Sequence, residues 1–236
     1  MKLHAFQYGR NKYPAKFIFK DDVTGRQLEF AWMFYLIETE GKRILIDTGF
    51  ANKRVASLFK LSIISPIDLL KNARFPPTSI TDIIITHNHF DHTGCLHCFP
   101  NAHVHMHKDI YIDILKYPPL PEIESYLKKK NRLSIFNGDK THILPEVTIA
   151  SIGGHSPGSS VVYIETTDGK ILIPGDEIYL LENLRTITPV GTYYQTEKNK
   201  AFIEEISRRT DITQVLTFHE PSIMKAEEQH KIVYRG

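Results

Sequence analysis

The chain writes one hairpin twice: "YLIETEGKRILIDTG" (Tyr35 to Gly49) returns as "YIETTDGKILIPGD" (Tyr163 to Asp176). Each copy reads as an apolar strand, a polar turn carrying Gly-Lys, and a second strand that ends in a Gly with an Asp nearby. That is how an antiparallel hairpin is written. A fold that houses both copies is expected to be a duplicated unit.

Helical patterns lie between the copies at "KRVASLFKL" and "SPIDLLKNAR", the second opened by Ser65 as N-cap and Pro66 at the first helical position. The strand "DIIITH" and the short strand "AHVHMH" follow. Helices are expected at "DIYIDILKY" and "EIESYLKKKNR", separated by the break "PPLP". After the second hairpin come an amphipathic helix, "TEKNKAFIEEISRR", and a last strand, "ITQVLTFHE". Strands grouped around separate helices, with a repeated hairpin set, predict an α/β fold of two packed sheets with helices outside, a four-layer arrangement. No linker or low-complexity segment divides it, so residues 1–236 are expected to form a single domain. At 236 residues and 42% hydrophobic content the chain can bury a sizeable core without staples.

Charge narrows the partners. The 29 basic and 27 acidic side chains are well mixed and leave a net charge of +2, which gives no one-signed field for nucleic acid or an anionic membrane. Neither is expected as a partner. The cluster Lys128, Lys129, Lys130 with Arg132 reads as the solvated end of a helix. The start of the chain lacks the apolar core of a signal peptide, and the longest apolar run, Phe30 to Ile37, is too short to span a bilayer. A cytoplasmic location is therefore expected, with the oligomeric state left open. Cys95 and Cys98 stand as a C-x-x-C that could be a redox pair or half a zinc knuckle. With no second pair, they read as small reduced residues near the first turns of a helix.

The stretch "IIITHNHFDHTG" carries the chemistry. Three histidines and an aspartate fall within six positions at a strand end. Residues i and i+2 of a strand point to one side, so His87 and His89 can face one metal, while Asp91 and His92 can aim at a second position beyond the turn. Zinc takes about four ligands, and later segments must complete each set. His155 in "GGHSPGSS", Asp176 in "ILIPGDE" and His219 in "VLTFHEP" are the candidates, each placed at a strand end. Alone, each would read as a surface residue or turn former; the ordered set is what points to a metal centre. His103, His105 and His107 alternate on one strand with no acid flanking them and read as a partly exposed face. His4, His97, His142 and His230 read as surface residues.

The run His87-Asn88-His89-Phe90-Asp91-His92 is the H-x-H-x-D-H signature, and with His155, Asp176 and His219 in order the chain resembles the metallo-β-lactamase superfamily along nearly its whole length. That resemblance implies an αββα sandwich, with His87, His89 and His155 on one metal, Asp91, His92 and His219 on the other, and Asp176 bridging. It also implies that Asp47, in "IDTG", orients a ligand imidazole. Members with a bridging cysteine do not fit, because Asp176 stands there, and flavodiiron proteins carry a glutamate where this chain has His89. Glyoxalase II proteins need a helical region beyond the last ligand, whereas only 17 residues follow His219. RNA-processing members need an inserted domain for which there is no room. The pattern is most like the quorum-quenching N-acyl homoserine lactonases, through "FAWMFYLIETEGKRILIDTG" and through "GDEIY", which places Tyr179 three residues after Asp176.

The resemblance implies two divalent ions, zinc by preference for a His-rich, carboxylate-bridged set, with iron, manganese or cobalt able to occupy the same ligands. A hydroxide bridging the ions would attack the ester or lactone carbonyl, Asp91 would relay the proton to the leaving alkoxide, and Tyr179 would donate to the oxyanion. Packing against the next helix is the alternative role for Tyr179. Phe50, Phe59, Ile63, Ile64, Tyr193 and Tyr194 are expected near the mouth and suit a hydrophobic ester better than a phosphodiester. A thioesterase or open-chain esterase, or a metal-holding sensor without turnover, would use the same ligands.

Overall fold

The computed structural model describes residues 1–129 and 131–236. The first sheet takes strands β1 (Lys2–Pro14), β2 (Gln27–Glu38), β3 (Arg43–Ile46), the short β4 (Ser62–Ile63), β5 (Asp82–Ile84), β6 (His103–His107) and β7 (Leu133–Phe136). The second takes β8 (Lys140–Leu144), β9 (Val147–Ser151), β10 (Ser160–Thr166), β11 (Gly169–Ile173) and β12 (Ile212–Val215). A final strand, β13 (His230–Arg235), returns to the first sheet, whose order is β13-β1-β2-β3-β5-β6-β7 with β4 on β1. The second sheet runs β12-β11-β10-β9-β8. The two sequence copies are antiparallel hairpins, β2 with β3 and β10 with β11, one in each sheet.

Alternation within the strands makes the layers. In β2, Phe34 and Leu36 face outward to a helix-covered core, while Met33, Tyr35 and Ile37 face the second sheet. Both faces of that strand are buried, which is why its sequence is almost uninterruptedly apolar. The outer core is covered by α3 (Pro66–Asn72), α5 (Lys108–Lys116) and α6 (Pro121–Lys129), and the short α1 (Ala15–Ile18), α2 (Lys53–Leu58) and one-turn α4 (Phe90–Thr93) lie in the connections between the strands of the first sheet. A separate core of Val161, Leu172, Phe202, Ile203 and Ile206 joins the far face of the second sheet to α8 (Thr196–Arg208), which follows α7 (Leu181–Thr186). Three cores thus separate four layers: helices, sheet, sheet, helices. The Ser65 cap is in place, its hydroxyl accepting from the Asp68 amide at 3.4 Å.

Several expectations need correction. "ITQVLTFHE" is strand only from Ile212 to Val215 and is not the last strand. The N-terminal segment, in which the sequence shows no clean alternation, is the 13-residue β1, with a bulge between Gln7 and Gly9. His4 is buried rather than exposed, stacked on His230 at 5.2 Å and bonded to Glu38 at 3.3 Å. His105 does have an acid beside it, Asp82 on the adjacent β5, at 2.9 Å. His107 is buried and caps α5 by accepting from the Asp109 amide at 3.2 Å. The helix expected to include both cysteines is instead two single turns, Phe90–Thr93 and Leu96–Cys98. Lys128 pairs with Glu124 at 2.5 Å, while Lys130 and the Lys129 side chain lie outside the described residues.

Candidate metal centre

The loops that leave the C-terminal ends of β3, β5, β9, β11 and β12 meet at one end of the two sheets, bringing Asp47, His87 to His92, His155, Asp176 and His219 together. The strand argument for His87 and His89 is not how they meet: β5 ends at Ile84, and both lie beyond it, His89 as the N-cap of α4. Close approach of backbones holds the loops. The Ser160 amide donates to the Thr86 carbonyl at 2.8 Å across the sheets. Gly175, at φ 55°, passes so near that a Cβ would lie 2.8 Å from the Ser160 carbonyl oxygen, so the Gly before Asp176 is sterically required.

Two candidate ligand sets result, His87, His89, His155 with Asp176 and Asp91, His92, His219 with Asp176. In the first, His89 Nδ1 is 3.1 Å from His155 Nε2, and Asp176 Oδ2 is 3.4 Å from His87 Nε2 and 3.6 Å from His155 Nε2. In the second, Asp176 Oδ1 lies 3.3 Å from His92 Nε2 and 3.2 Å from His219 Nε2, and Asp91 Oδ2 is 3.4 and 3.7 Å from the same two nitrogens. A tetrahedral ion with bonds of about 2.0–2.1 Å has ligand-to-ligand edges of roughly 3.3–3.4 Å. The observed spacings straddle that length, and the two Asp176 oxygens divide between the sets. His87 Nε2, His92 Nε2 and Asp176 Oδ1 are buried with no hydrogen-bond partner among the described residues, which is costly for polar atoms unless a cation satisfies them. The residues fit two metal ions.

The imidazoles are oriented from behind. His92 Nδ1–H donates to Asp47 Oδ2 at 2.7 Å, His155 Nδ1–H to the Thr192 carbonyl at 2.8 Å and His219 Nδ1–H to the Ala31 carbonyl at 2.9 Å. In each ring this leaves the Nε2 lone pair facing the centre. His87 is held by a relay: its Nδ1 lies 3.1 Å from Thr86 Oγ1, whose proton goes to Asp47 Oδ2 at 2.6 Å. Asp47 therefore orients two imidazoles, where the sequence reading expected one.

Electrostatics agrees with the donor set at His87, His89, His155 and the two carboxylates. Burial pushes the His87 and His89 pKa values down, and that of His155 down to about 3, so these rings stay neutral as ligation requires. Burial works against the Asp91 charge, yet His92 and His219 hold its pKa down to about 2. Burial likewise opposes ionisation of Asp176, and the neighbouring imidazoles, His92 first, outweigh it; in turn burial works against a charge on His92, but Asp176, Asp91 and Asp47 raise its pKa well above the ordinary value, and a bound cation would take the place of that proton. Both carboxylates are thus in the anionic form a cation needs.

Over the ligands lies a cavity of about 190 Å³ lined by Tyr13, Phe30, Trp32, Phe59, Phe90 and Tyr179 together with ligand residues. The Phe30 ring stacks on His219 at 4.1 Å, and the Tyr179 ring sits 5.4 Å from His219 and 5.7 Å from His155, above both sets. Burial, then the charges of Asp176 and Asp91, raise the Tyr179 pKa well above that of a free phenol, so its proton is retained. Of the six residues expected at the mouth, Phe59 lines this cavity; Phe50 is core, packed edge-on against Trp32 and Phe90, and Tyr194 lines a different cleft.

Sequence reading missed Tyr13, Phe30 and Trp32, which reach the centre only because β1 and β2 cross it, and it missed Glu177. That buried carboxylate accepts from the amides of Gly154 and His155 at 2.9 and 3.0 Å, from Ser159 Oγ at 2.5 Å and from Asn199 Nδ2 at 2.7 Å. It fastens the His155 loop to the Asp176 loop. Its place beside Asp176 was the available signal, but an acid after "GD" reads equally well as exposed.

A sequence model of the metallo-β-lactamase superfamily matches residues 33–214, and the chain belongs to that superfamily. An N-acyl homoserine lactonase from Bacillus cereus is 30% identical over 211 residues, covering 81% of this chain and 82% of the relative. Among solved structures, a quorum-quenching N-acyl homoserine lactone lactonase superposes with a TM-score of 0.82 at 24% identity, covering 96% of this chain and 95% of the other. AidC, a dizinc quorum-quenching lactonase, superposes with a TM-score of 0.73 at 18% identity, covering 99% and 94%. The protein is a metal-dependent hydrolase of the αββα fold.

Proposed function

We propose that this chain is a dinuclear zinc lactonase that opens N-acyl homoserine lactones or related lactones. The observation that carries the reading is the pairing of two tetrahedrally spaced ligand sets, joined through Asp176, with a protonated Tyr179 above them in an aromatic-walled cavity. His87, His89 and His155 would hold one ion, Asp91, His92 and His219 the other, with Asp176 between. When bound, such ions supply Lewis acidity and a nucleophile at neutral pH without a serine or cysteine. The His-rich, carboxylate-bridged set favours zinc, as does the dizinc relative.

The chain's own groups do the rest. The Tyr179 hydroxyl donates to the lactone carbonyl oxygen as negative charge develops on it, a contribution of typically a few kcal/mol in such sites. Asp91, facing the same space, takes the proton that the attacking water gives up and passes it to the ring oxygen as the C–O bond breaks. Phe30, Trp32, Phe59 and Phe90 exclude solvent and present apolar surface to the substrate. A second groove of about 640 Å³ shares Tyr13 and Phe59 with this cavity and adds Pro14, Phe17 and Leu58, a path suited to an acyl chain. Basic residues that would favour a phosphodiester do not line the inner cavity.

The test is a substrate panel with the zinc-loaded protein: acyl homoserine lactones, open aryl esters, acyl thioesters and phosphodiesters. The lactones are expected to give the highest kcat/KM. A thioester or open ester turned over tenfold faster than every lactone would replace this reading with the corresponding esterase, and no turnover of any class would leave a metal-holding sensor.

A further inference from the structure

The two cysteines take no part in the chemistry above, yet they are built into the turn directly behind His92. Cys95 is buried and caps the single turn Leu96–Cys98, its amide donating to the Gly49 carbonyl at 3.0 Å. Cys98 is half-buried, with its sulfur 3.5 Å from His97 Nε2. Both are free thiols, and the Cys98 amide donates to the Cys95 carbonyl at 2.9 Å, which folds the two cysteines into one turn. Interaction with the Cys95 thiol, with the nearby Lys71 charge and against the effect of burial, lowers the Cys98 pKa to about 7, while the same interaction and burial raise that of Cys95. The more accessible sulfur is thus the better nucleophile, and a second thiol stands three residues before it in the same turn. Neither belongs to the two metal-ligand groups found among the described residues.

We propose that Cys95 and Cys98 form a peroxide-responsive dithiol that closes to a reversible intramolecular disulfide, protecting Cys98 from irreversible oxidation while leaving the metal centre intact. The Cys98 thiolate attacks one oxygen of a hydroperoxide; the O–O bond breaks, hydroxide (or alkoxide) leaves, and a sulfenic acid remains on Cys98. The Cys95 sulfur then attacks the Cys98 sulfur, the S–OH bond breaks, and the Cys95 proton leaves with the hydroxyl as water. Two thiols are oxidised and one peroxide is reduced.

Closure moves the Cys98 end. Cys95 is fixed through its amide, and Gly94 before it is wedged against Phe50 and the Phe90 carbonyl. The His92 carbonyl is held by the Thr48 amide at 2.8 Å and the Thr48 hydroxyl at 2.9 Å, and the Cys95 amide reaches that same hydroxyl at 3.3 Å, so the Cys95 end is pinned to the anchor of the ligand loop. Contraction of the sulfurs to a bond of about 2 Å therefore tightens the exposed side of the turn and does not draw on the ligand loop.

The metal-loaded protein, treated with a few equivalents of hydrogen peroxide, is read by intact mass, by peptide mapping after alkylation and by metal content. The expected result is loss of two hydrogens localised to Cys95 and Cys98, reversed by dithiothreitol, with metal content unchanged. In Cys95→Ala, Cys98 should instead gain two or three oxygens irreversibly; if that variant does not fold, the result on the unaltered protein decides alone. A Cys98 that goes to sulfinic acid while Cys95 stays free would overturn the proposal. So would two thiols that resist peroxide which oxidises free glutathione, or a disulfide that forms with release of metal. None of these readouts depends on the substrate, so failure here is distinguishable from failure of the lactonase reading.

Discussion

Asp47→Asn tests how far the centre depends on a residue that faces it only from behind. The carboxylate accepts from His92 Nδ1 at 2.7 Å, from Thr86 Oγ1 at 2.6 Å and from the Thr86 amide at 2.8 Å, and is fully buried. Asparagine keeps the volume and can still accept from the Thr86 amide through its oxygen. Its NH₂ then faces His92 Nδ1 and Thr86 Oγ1, where acceptors are required. A donor facing Nδ1 forces the His92 proton to Nε2, the atom that lies 3.3 Å from Asp176 Oδ1 and must carry the lone pair. The same swap removes the acceptor for the Thr86 hydroxyl proton and so loosens the relay to His87. Losses of this kind cost about ten- to a hundredfold in metal affinity, or roughly 1.4–2.7 kcal/mol. The larger loss should fall on the position built from Asp91, His92 and His219. Competition with a calibrated chelator, following two binding steps by cobalt absorption, measures each position, and circular dichroism reports whether the fold is retained. A folded Asp47→Asn protein with both affinities unchanged would refute the tautomer argument.

Three further outcomes are expected. Tyr179→Phe should leave metal content and fold intact and lower kcat on a homoserine lactone by about ten- to a hundredfold; unchanged kcat/KM by a continuous ring-opening assay would make Tyr179 a packing residue. Asp91→Asn should keep the position formed by His87, His89 and His155, weaken the other, and lower kcat by on the order of a hundredfold or more, measured alongside elemental analysis. Away from the centre, burial opposes the Asp82 charge, but bonds from His105 and Lys42 hold its pKa well below the usual carboxylate range. Because the folded value is depressed, that stabilisation is complete above the unfolded pKa near 4 and is lost as pH falls through the folded value. Denaturant midpoints of the unaltered protein should therefore decline towards those of Asp82→Asn as the medium is acidified from pH ~5 to pH ~2. A gap that stays constant with pH would show that the pair contributes no linked stability.

The candidate ligands were legible as a cluster because chemistry and local structure coincide in them. Four ligand-type residues sit in one stretch, and His155 and Asp176 lie in loops whose glycines mark tight backbone. The repeated hairpin was legible because a turn and two flanking strands are contiguous, and α3 because its cap and Pro66 act within one turn. What the sequence could not decide is anything that depends on a partner distant along the chain. β1 has no clean alternation because one end packs against β13, the middle bulges, and the other end arches over the metal site. His4 was misplaced for the same reason: its burial is supplied by His230, 226 residues away. Phe30 and Trp32 read as ordinary strand apolars, and only the crossing of β2 over His219 makes them the wall of a cavity. Glu177 became a clasp because Gly154, His155 and Asn199 converge on it. Periodicity and motif spacing report what a residue is and which way its own element points it. Whether an apolar side chain fills a core or faces a substrate, and whether an acid is solvated or buried, depends on strand pairing and sheet packing, and these are settled only when the chain closes on itself.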